Sequence, residues 1–172
     1  DLVRFHPSAD KRVAKERLHL PQEKTILLTV RNLVERMGME NLILAMADIV
    51  KYVPDIYLIV GGTGPLKGDL EMASRRLHLD HHIHFSGYIS ETMLPEYYRA
   101  ADIFVHPTSE LEGLGLVTLE ALASGVPVIG TPVGGTQEIL SRLDRKFLFP
   151  DASSESISRL IIDFFHKFRY KP

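Results

Sequence analysis

Short apolar runs alternate with longer helical patterns along almost the whole chain, and this alternation constrains the fold more than any other feature. Thr25–Val30, Ile56–Val60 and Ile83–Ser86 are short apolar runs of the kind found in strands buried on both faces. Segments with apolar residues at helical spacing, such as Leu42–Val53, follow them. Parallel strands need such crossover connections, so the sequence predicts an α/β fold: a doubly wound parallel sheet of about six strands with helices on both faces.

The second half of the chain continues the alternation. Asp102–Val105 and Val126–Gly130 are predicted to be the fourth and fifth strands, and Phe147–Phe149 a sixth. Gly134-Gly135 is interpreted as a flexible turn after the fifth strand. The pattern closes with an amphipathic helix over Ser153–Phe168.

Composition excludes several classes of protein. The chain has 172 residues, the size of a single domain, and Lys plus Arg number 20 against 22 Asp plus Glu. The net charge of -2 argues against a nucleic-acid-binding face, and no apolar run approaches the ~20 residues of a membrane span. With no cysteine there is no disulfide framework or thiol nucleophile, which fits a cytoplasmic location.

The unusual polar and glycine residues follow the predicted strands. They are Arg31 and Asn32, the loop Gly61–Gly64, Gly87 and Tyr88, the loop Pro107–Glu112, and Gly134-Gly135. The carboxyl ends of the strands form the ligand-binding edge of an open α/β sheet. The sequence therefore predicts one site at this edge.

The stretch His106–Thr136 carries the strongest chemical signal. Its Gly-Leu-Gly sequence leads into a helix, whose unpaired N–H groups and dipole favour an anion such as phosphate. Phosphate would repel the carboxylates of Glu112 and Glu120, which are better suited to accept hydrogen bonds from neutral hydroxyls. Phosphate together with hydroxyls indicates a nucleotide-sugar. His106 ends the fourth strand beside this loop and is a candidate ligand contact, with packing as the alternative.

Two other motifs were weighed as alternatives. Gly62 and Gly64 lie in a G-x-G-x-x-x-G pattern after a strand, as in dinucleotide-binding domains, but the next strand ends in Ser86 where an acidic residue should hold the ribose. A glycine turn that lets a ligand approach is the preferred interpretation. His81–His84 contains three histidines but has neither cysteine nor a convincing distant partner, so no metal site is predicted.

At these residues the chain resembles the C-terminal, donor-binding domain of a family-4 glycosyltransferase, a retaining class with the GT-B fold. The resemblance runs through VRNLVERMGMENLILA, LIVGGTGPLKGDLE, FSGYISETMLPEYYRAADIFVHPT and GVPVIGTPVGG. Its most specific element is the E-x(7)-E of Glu112 and Glu120. The resemblance implies a Rossmann-like domain forming one half of a GT-B enzyme. Residues 1–24 would then be a segment leading from a missing N-terminal acceptor-binding domain.

The resemblance also implies roles for individual residues. Glu120 would accept hydrogen bonds from the ribose and Glu112 from the donated sugar. The other predicted donor-binding residues are Gly113, Leu114, Gly115 and Leu116 at the diphosphate, Tyr88 and Ile89 at the base, and Gly62, Gly64, Asn32 and His106 around them. The diphosphate would leave the anomeric carbon without a metal or other cofactor, while the acceptor attacks the same face.

The chain departs from the family pattern where the diphosphate binds. Family members usually read V-G-R-L and, a few residues later, K-G; here Arg31 stands at the glycine, Asn32 at the arginine and Met37 at the lysine. The clamp is therefore either rebuilt from Arg31 and Arg36, which with Glu112 are the predicted catalytic residues, or absent.

Two functional hypotheses follow, with a dinucleotide-dependent oxidoreductase domain as a weaker third. The first is the donor domain of a polysaccharide-biosynthesis hexosyltransferase that transfers to an acceptor sugar or lipid-linked glycan, inactive alone. The second is a catalytically impaired nucleotide-sugar-binding module. The expected partners are the nucleotide-sugar and the missing N-terminal domain, through which any peripheral membrane contact would occur.

Overall fold

The strands form one parallel sheet, and helices cover both of its faces. The computed structural model describes residues 1–110 and 113–169, except for the side chains of residues 168 and 169. The strands are β1 (Thr25–Val30), β2 (Ile56–Gly61), β3 (Ile83–Gly87), β4 (Ile103–His106) and β5 (Val128–Gly130). The helices are α1 (Lys11–Arg17), α2 (Met39–Tyr52), α3 (Lys67–Arg76), α4 (Leu94–Ala100), α5 (Leu116–Ala123), α6 (Gly134–Leu143) and α7 (Ser154–Arg169). The predicted α/β fold and doubly wound sheet are confirmed.

The strand order places one crevice at the centre of the sheet. The order is β3-β2-β1-β4-β5, and every neighbouring pair is parallel. The chain moves outward from β1 to β3 and then returns to the other side of β1 to form β4. The carboxyl ends of β1 and β4 therefore flank the point where the strand order reverses, which is where open α/β sheets bind ligands.

The two faces of β1 contribute to two separate cores because successive strand residues point in opposite directions. Leu27 packs with α2 and α7, whose buried residues include Leu42 and Ile161. Ile26 and Leu28 pack on the other face, with residues of α4 and α5. All three β1 side chains are fully buried, as expected for the middle strand of a sheet covered on both sides.

Two predictions about the end of the chain need correction. Phe147–Phe149 forms a single parallel bridge, Leu148 to Gly130, beside a 3₁₀ turn over Arg145–Phe147, so the described residues contain five strands. Gly134-Gly135 is the first turn of α6 and does not form a flexible turn. Two consecutive glycines have low helix propensity, which is why the sequence pattern concealed this helix start.

Gly38 fixes the loop after β1 against the loop after β4. It precedes α2 in the left-handed region, with φ +66°, and a Cβ atom there would collide with the carbonyl oxygen of Pro107. Glycine is therefore required both by the backbone angle and by the close approach.

At the C-terminal end of α2, Pro54 follows the C-cap Val53. No helix in the described part of the chain is both long and apolar enough to cross a lipid bilayer.

Candidate nucleotide-sugar site

A cavity of about 320 Å³ opens at the carboxyl edge of the sheet, beside the crevice between β1 and β4. Its volume is at the lower end of the range of small-molecule pockets, roughly 300–1,000 Å³. Five residues proposed from the sequence line it: Arg31, Asn32, Gly62, Tyr88 and Ile89. The remaining lining residues are Val30, Met37, Thr63 and Val117. The structure thus brings residues of the loops after β1, β2 and β3 together at one opening.

Arg31 carries the charge of this cavity. Among the described lining residues it is the one with a formal charge. Its Nη1 donates a hydrogen bond to Nε2 of His106, and its Nη2 lies 3.0 Å from Sδ of Met37. The guanidinium therefore bridges the carboxyl ends of β1 and β4.

His106 is fully buried, with an exposed fraction of 0%. Its Nδ1 lies 3.2 Å from Oγ1 of Thr136, which in turn lies 2.9 Å from Oγ1 of Thr118. Burial, and then the nearby positive charge of Arg31, lower the pKa of His106 to about 3, so the imidazole is neutral at pH 7. In this structure the ring of His106 contacts Arg31 and has no surface for the direct ligand contact proposed from the sequence.

The Gly-Leu-Gly segment is packed against the start of α6. The amide of Gly135 donates a 2.9 Å hydrogen bond to the carbonyl of Gly113. Gly115 has φ +63° and caps α5, and a Cβ there would lie 3.1 Å from the amide nitrogen of Thr136. Leu116 begins α5, and the first amides of a helix lack intrahelical partners. Leu114 and Leu116 are exposed, whereas Gly115 between them is buried.

Glu120 lies one turn of α5 beyond the cavity-lining Val117. Its Oε2 accepts a 3.1 Å hydrogen bond from the phenol of Tyr98, which is fully buried. Burial, and then the carboxylate of Glu120, raise the pKa of Tyr98 far above its usual value, so the phenol acts as a donor. A carboxylate has about four lone-pair sites, so Glu120 can accept further hydrogen bonds from hydroxyls.

The structure explains why the loop after β2 contains glycines at positions 62 and 64, which the sequence did not reveal. Gly62 has φ +125°, and a Cβ there would collide with the carbonyl oxygen of Arg31. A Cβ at Gly64 would collide with the carbonyl of Leu33. Both glycines allow the loop after β2 to touch the loop after β1. Gly62 also lines the cavity, whereas the lining does not include Gly64.

The loop after β3 forms the outer wall of the cavity. Tyr88 is 74% exposed. The side chain of Ile89 is half-buried and packs over Gly61. The amide of Gly62 donates a 2.7 Å hydrogen bond to the carbonyl of Gly87, which ties this wall to the loop after β2. An exposed aromatic ring beside a cavity is suited to stacking on a planar base.

Arg36 holds the loop after β4 through its backbone. Its carbonyl accepts hydrogen bonds from the amide and the hydroxyl of Ser109, at 3.0 and 3.1 Å. The side chain of Arg36 is exposed, and it does not line the cavity.

Glu112, the other predicted catalytic residue, lies outside the described residues. In the described part of the chain, no group of three or more His, Asp or Glu side chains could hold a metal ion.

Sequence reasoning missed Tyr98, Thr118 and Thr136. All three lie within stretches that the sequence analysis singled out, but a buried Tyr or Thr reads like an ordinary core or capping residue until its partner is known. Thr63 and Val117 were also missed as lining residues. The proximity of Asn32 and Met37 to the site was predicted, and both line the cavity.

Comparisons with known proteins show which family and which solved structures the chain resembles. Residues 10–168 match the family described as Glycosyl transferases group 1. The chain is 33% identical, over 144 residues, to the GDP-mannose-dependent alpha-(1-6)-phosphatidylinositol monomannoside mannosyltransferase of Mycolicibacterium smegmatis. That match covers 80% of this chain and 38% of the relative, so this chain spans less than half of the relative's length.

Two solved structures share the fold. The C-terminal domain of the group 1 glycosyl transferase LpcC from Francisella tularensis matches with a TM-score of 0.86 at 29% identity, over 98% of this chain and 88% of that domain. Anabaena HepE, solved with UDP and glucose, matches with a TM-score of 0.84 at 22% identity, over 98% of this chain and 46% of HepE. The second likeness concerns the fold alone.

Proposed function

The chain belongs to the group 1 glycosyl transferases, and from that premise we propose that its cavity binds the nucleotide-diphosphate sugar donor of a retaining hexosyl transfer. The observation that carries this proposal is that the guanidinium of Arg31 lines the same cavity as Val117 in the first turn of α5, with the carboxylate of Glu120 one turn further along that helix. Arg31 and the first amides of α5 suit a diphosphate, and Glu120 suits the ribose hydroxyls. Tyr88 and Ile89 form the wall against which the base would lie.

The chemical step would depend on stabilising the leaving diphosphate. In this proposal the bond between the anomeric carbon and the diphosphate breaks, and the acceptor hydroxyl attacks the same face of the sugar and gives its proton to the departing diphosphate, without a metal ion. Arg31 and Arg36 would supply the positive charge that Asn32 and Met37 do not. Electrostatic stabilisation of developing charge is commonly the largest catalytic term, and one donor is worth about 3 kcal/mol. Glu112 would hold the hydroxyls of the transferred sugar.

We further propose that a second domain supplies the acceptor. This chain spans 38% of the length of the Mycolicibacterium mannosyltransferase, so the remainder of such a protein has room for an acceptor-binding domain. The chain by itself is then expected to bind the donor and to transfer little or no sugar. The name of that relative makes GDP-mannose the first donor to test.

Thermal unfolding of the chain tests donor binding. The measurement compares GDP-mannose, UDP-glucose and ADP-glucose, with NAD as the control for the oxidoreductase hypothesis. A ligand at 100 times its Kd stabilises the native state by about 2.7 kcal/mol, which raises the Tm by several degrees in a domain of this size. A shift with one nucleotide-sugar identifies the base. A shift with NAD alone, or with none of the three sugars, would contradict the proposal.

Mutation of Glu112 distinguishes the hypothesis of an active glycosyltransferase from the hypothesis of a binding module that has no transfer activity. In a form of the protein that also carries the acceptor-binding domain, Glu112→Ala is expected to lower kcat by at least about a hundredfold, because hydrogen bonds to the transferred sugar strengthen in the transition state. Glu110→Ala, in the same loop and exposed, is the matched control and should retain activity. Donor binding without turnover in the unmutated protein would favour the impaired module that Asn32 and Met37 suggest.

A further inference from the structure

The position of Arg31 is set by a partner on another strand. The guanidinium lies on the lining of the cavity, and its Nη1 donates to Nε2 of His106 at the end of β4. Nη2 lies 3.0 Å from the buried Sδ of Met37. An arginine held at two of its nitrogens loses less conformational freedom when an anion binds, since its orientation is already fixed.

The hydrogen bonds of His106 define its tautomer. A guanidinium can donate but cannot accept, so the Nε2 atom that faces Arg31 must carry a lone pair. The proton of the neutral ring is then on Nδ1, which donates to Oγ1 of Thr136 at 3.2 Å. Thr136 in turn can donate to Thr118, at 2.9 Å. In this series of buried hydrogen bonds, from Arg31 through His106 and Thr136 to Thr118, each donor therefore faces an acceptor.

The same series of hydrogen bonds connects the Arg31 guanidinium with the backbone amides that are predicted to bind the diphosphate. Thr118 lies in the first turn of α5, and Thr136 lies in the first turn of α6. The starts of both helices pack around Gly113 and Gly115. Arg31 and the amides at the start of α5 are thus held in one frame by buried side chains.

From this geometry we propose that His106 is a positioning residue, which as the Nδ1–H tautomer holds the Arg31 guanidinium toward the diphosphate of the donor. The inference rests on the proposed donor-binding function. It assigns to His106 an action through Arg31 and no contact with the donor. A neutral ring is required, since an imidazolium would repel the guanidinium, and the lowered pKa of His106 meets that requirement at pH 7.

Two replacements of His106 separate its two hydrogen bonds. The amide of Gln reaches the place of Nε2 and can still accept from Arg31, whereas the shorter amide of Asn overlaps Nδ1 and keeps only the bond to Thr136. The affinities of the wild-type chain for GDP, UDP and ADP are measured by calorimetry, and the tightest of the three is used for all variants. We expect Arg31→Ala to raise its Kd about tenfold or more, and His106→Asn to raise it about fivefold. His106→Gln should stay within about twofold of the wild type.

A double-mutant cycle distinguishes positioning from a structural role. In the Arg31→Ala background, His106→Asn should leave the Kd unchanged, because the residue through which it acts is gone. An equal effect of His106→Asn in both backgrounds, or equal losses for Asn and Gln, would overturn the inference. If the wild type binds the nucleoside diphosphate and Arg31→Ala does not change the Kd, the inference is overturned but the proposed function is not. Failure of the wild-type chain to bind any of the three diphosphates would overturn both.

NMR of the imidazole nitrogens of His106 tests the tautomer without mutation, and so serves where the histidine variants do not fold. The expected result is a protonated Nδ1, an unprotonated Nε2 and a change in the Nε2 shift when the nucleoside diphosphate is added. A proton on Nε2 in the wild-type chain would exclude the hydrogen bond on which the inference depends.

Discussion

At the scale of a residue, the most unusual group is the buried imidazole of His106. Its pKa of about 3 in the folded chain compares with an ordinary value near 6.5. Arg31, Thr136 and the ring of Phe104 surround it. Between these two pKa values the unfolded chain binds a proton at this residue and the folded chain does not. The free energy of unfolding therefore falls as the pH is lowered from about 6.5 toward 3.

The expected size of this effect makes it measurable. A single such group contributes a slope of about 1.4 kcal/mol per pH unit, so about 2 kcal/mol should be lost at pH 5 relative to neutral pH. Urea unfolding of the wild type and of His106→Gln at pH 7 and pH 5 tests this. The variant has no titrating group at this position and should lose about 2 kcal/mol less than the wild type. Equal losses in the two proteins would show that His106 titrates normally in the folded state.

At the scale of elements, the starts of α5 and α6 depend on glycine contacts. A Cβ at Gly135 would lie 2.6 Å from the carbonyl oxygen of Gly113, closer than real Cβ contacts come. The atoms that this Cβ would meet, in Gly113 and Leu114, belong to the backbone, so Gly135→Ala must displace the loop at Gly113–Gly115. We expect a loss of about 1–3 kcal/mol in the free energy of unfolding, as for an overpacked site, and weaker nucleoside diphosphate binding by calorimetry.

Gly68→Ala is the matched control for this prediction. Gly68 lies near the start of α3, and a Cβ there meets no atom within 4 Å. Alanine in a helix is favoured over glycine by roughly 0.5–1 kcal/mol, so this variant should be slightly stabilised, with unchanged binding. Binding that survives Gly135→Ala would mean that the position of the Gly113–Gly115 loop does not matter to the diphosphate.

At the scale of the whole molecule, the sheet topology explains why the site residues come from distant parts of the chain. β1 and β4 are neighbours although β2, β3 and three helices lie between them in sequence. Their paired register, Leu27 with Ile103 and Leu28 with Phe104, sets the carboxyl ends side by side. The side chains of Arg31 and His106 then meet between the ends of these two strands.

Much of this architecture was predictable from the sequence. The alternation of short apolar runs and helical patterns predicted the sheet, the parallel direction of its strands and the edge at which the cavity lies. The E-x(7)-E motif of Glu112 and Glu120 and the glycine-rich stretches predicted the family. These are local signals, since the period of apolar residues and the placement of glycines are properties of short segments. The single bridge at Leu148 shows the limit of such signals, because a strand pattern does not reveal how many residues find a partner.

The sequence by itself determined the fold class, the family and the edge of the sheet at which polar residues gather. The tertiary structure alone decided which of those residues meet. The sequence offered Arg31 as a replacement cation and His106 as a ligand contact, with no relation between them, and the structure joins them in one hydrogen bond. The tertiary structure likewise brings Glu120 into contact with Tyr98, and Gly62 into contact with Arg31. The physical reason is that side-chain partnership depends on strand order, register and close packing, which arise only when segments far apart in the chain are brought together.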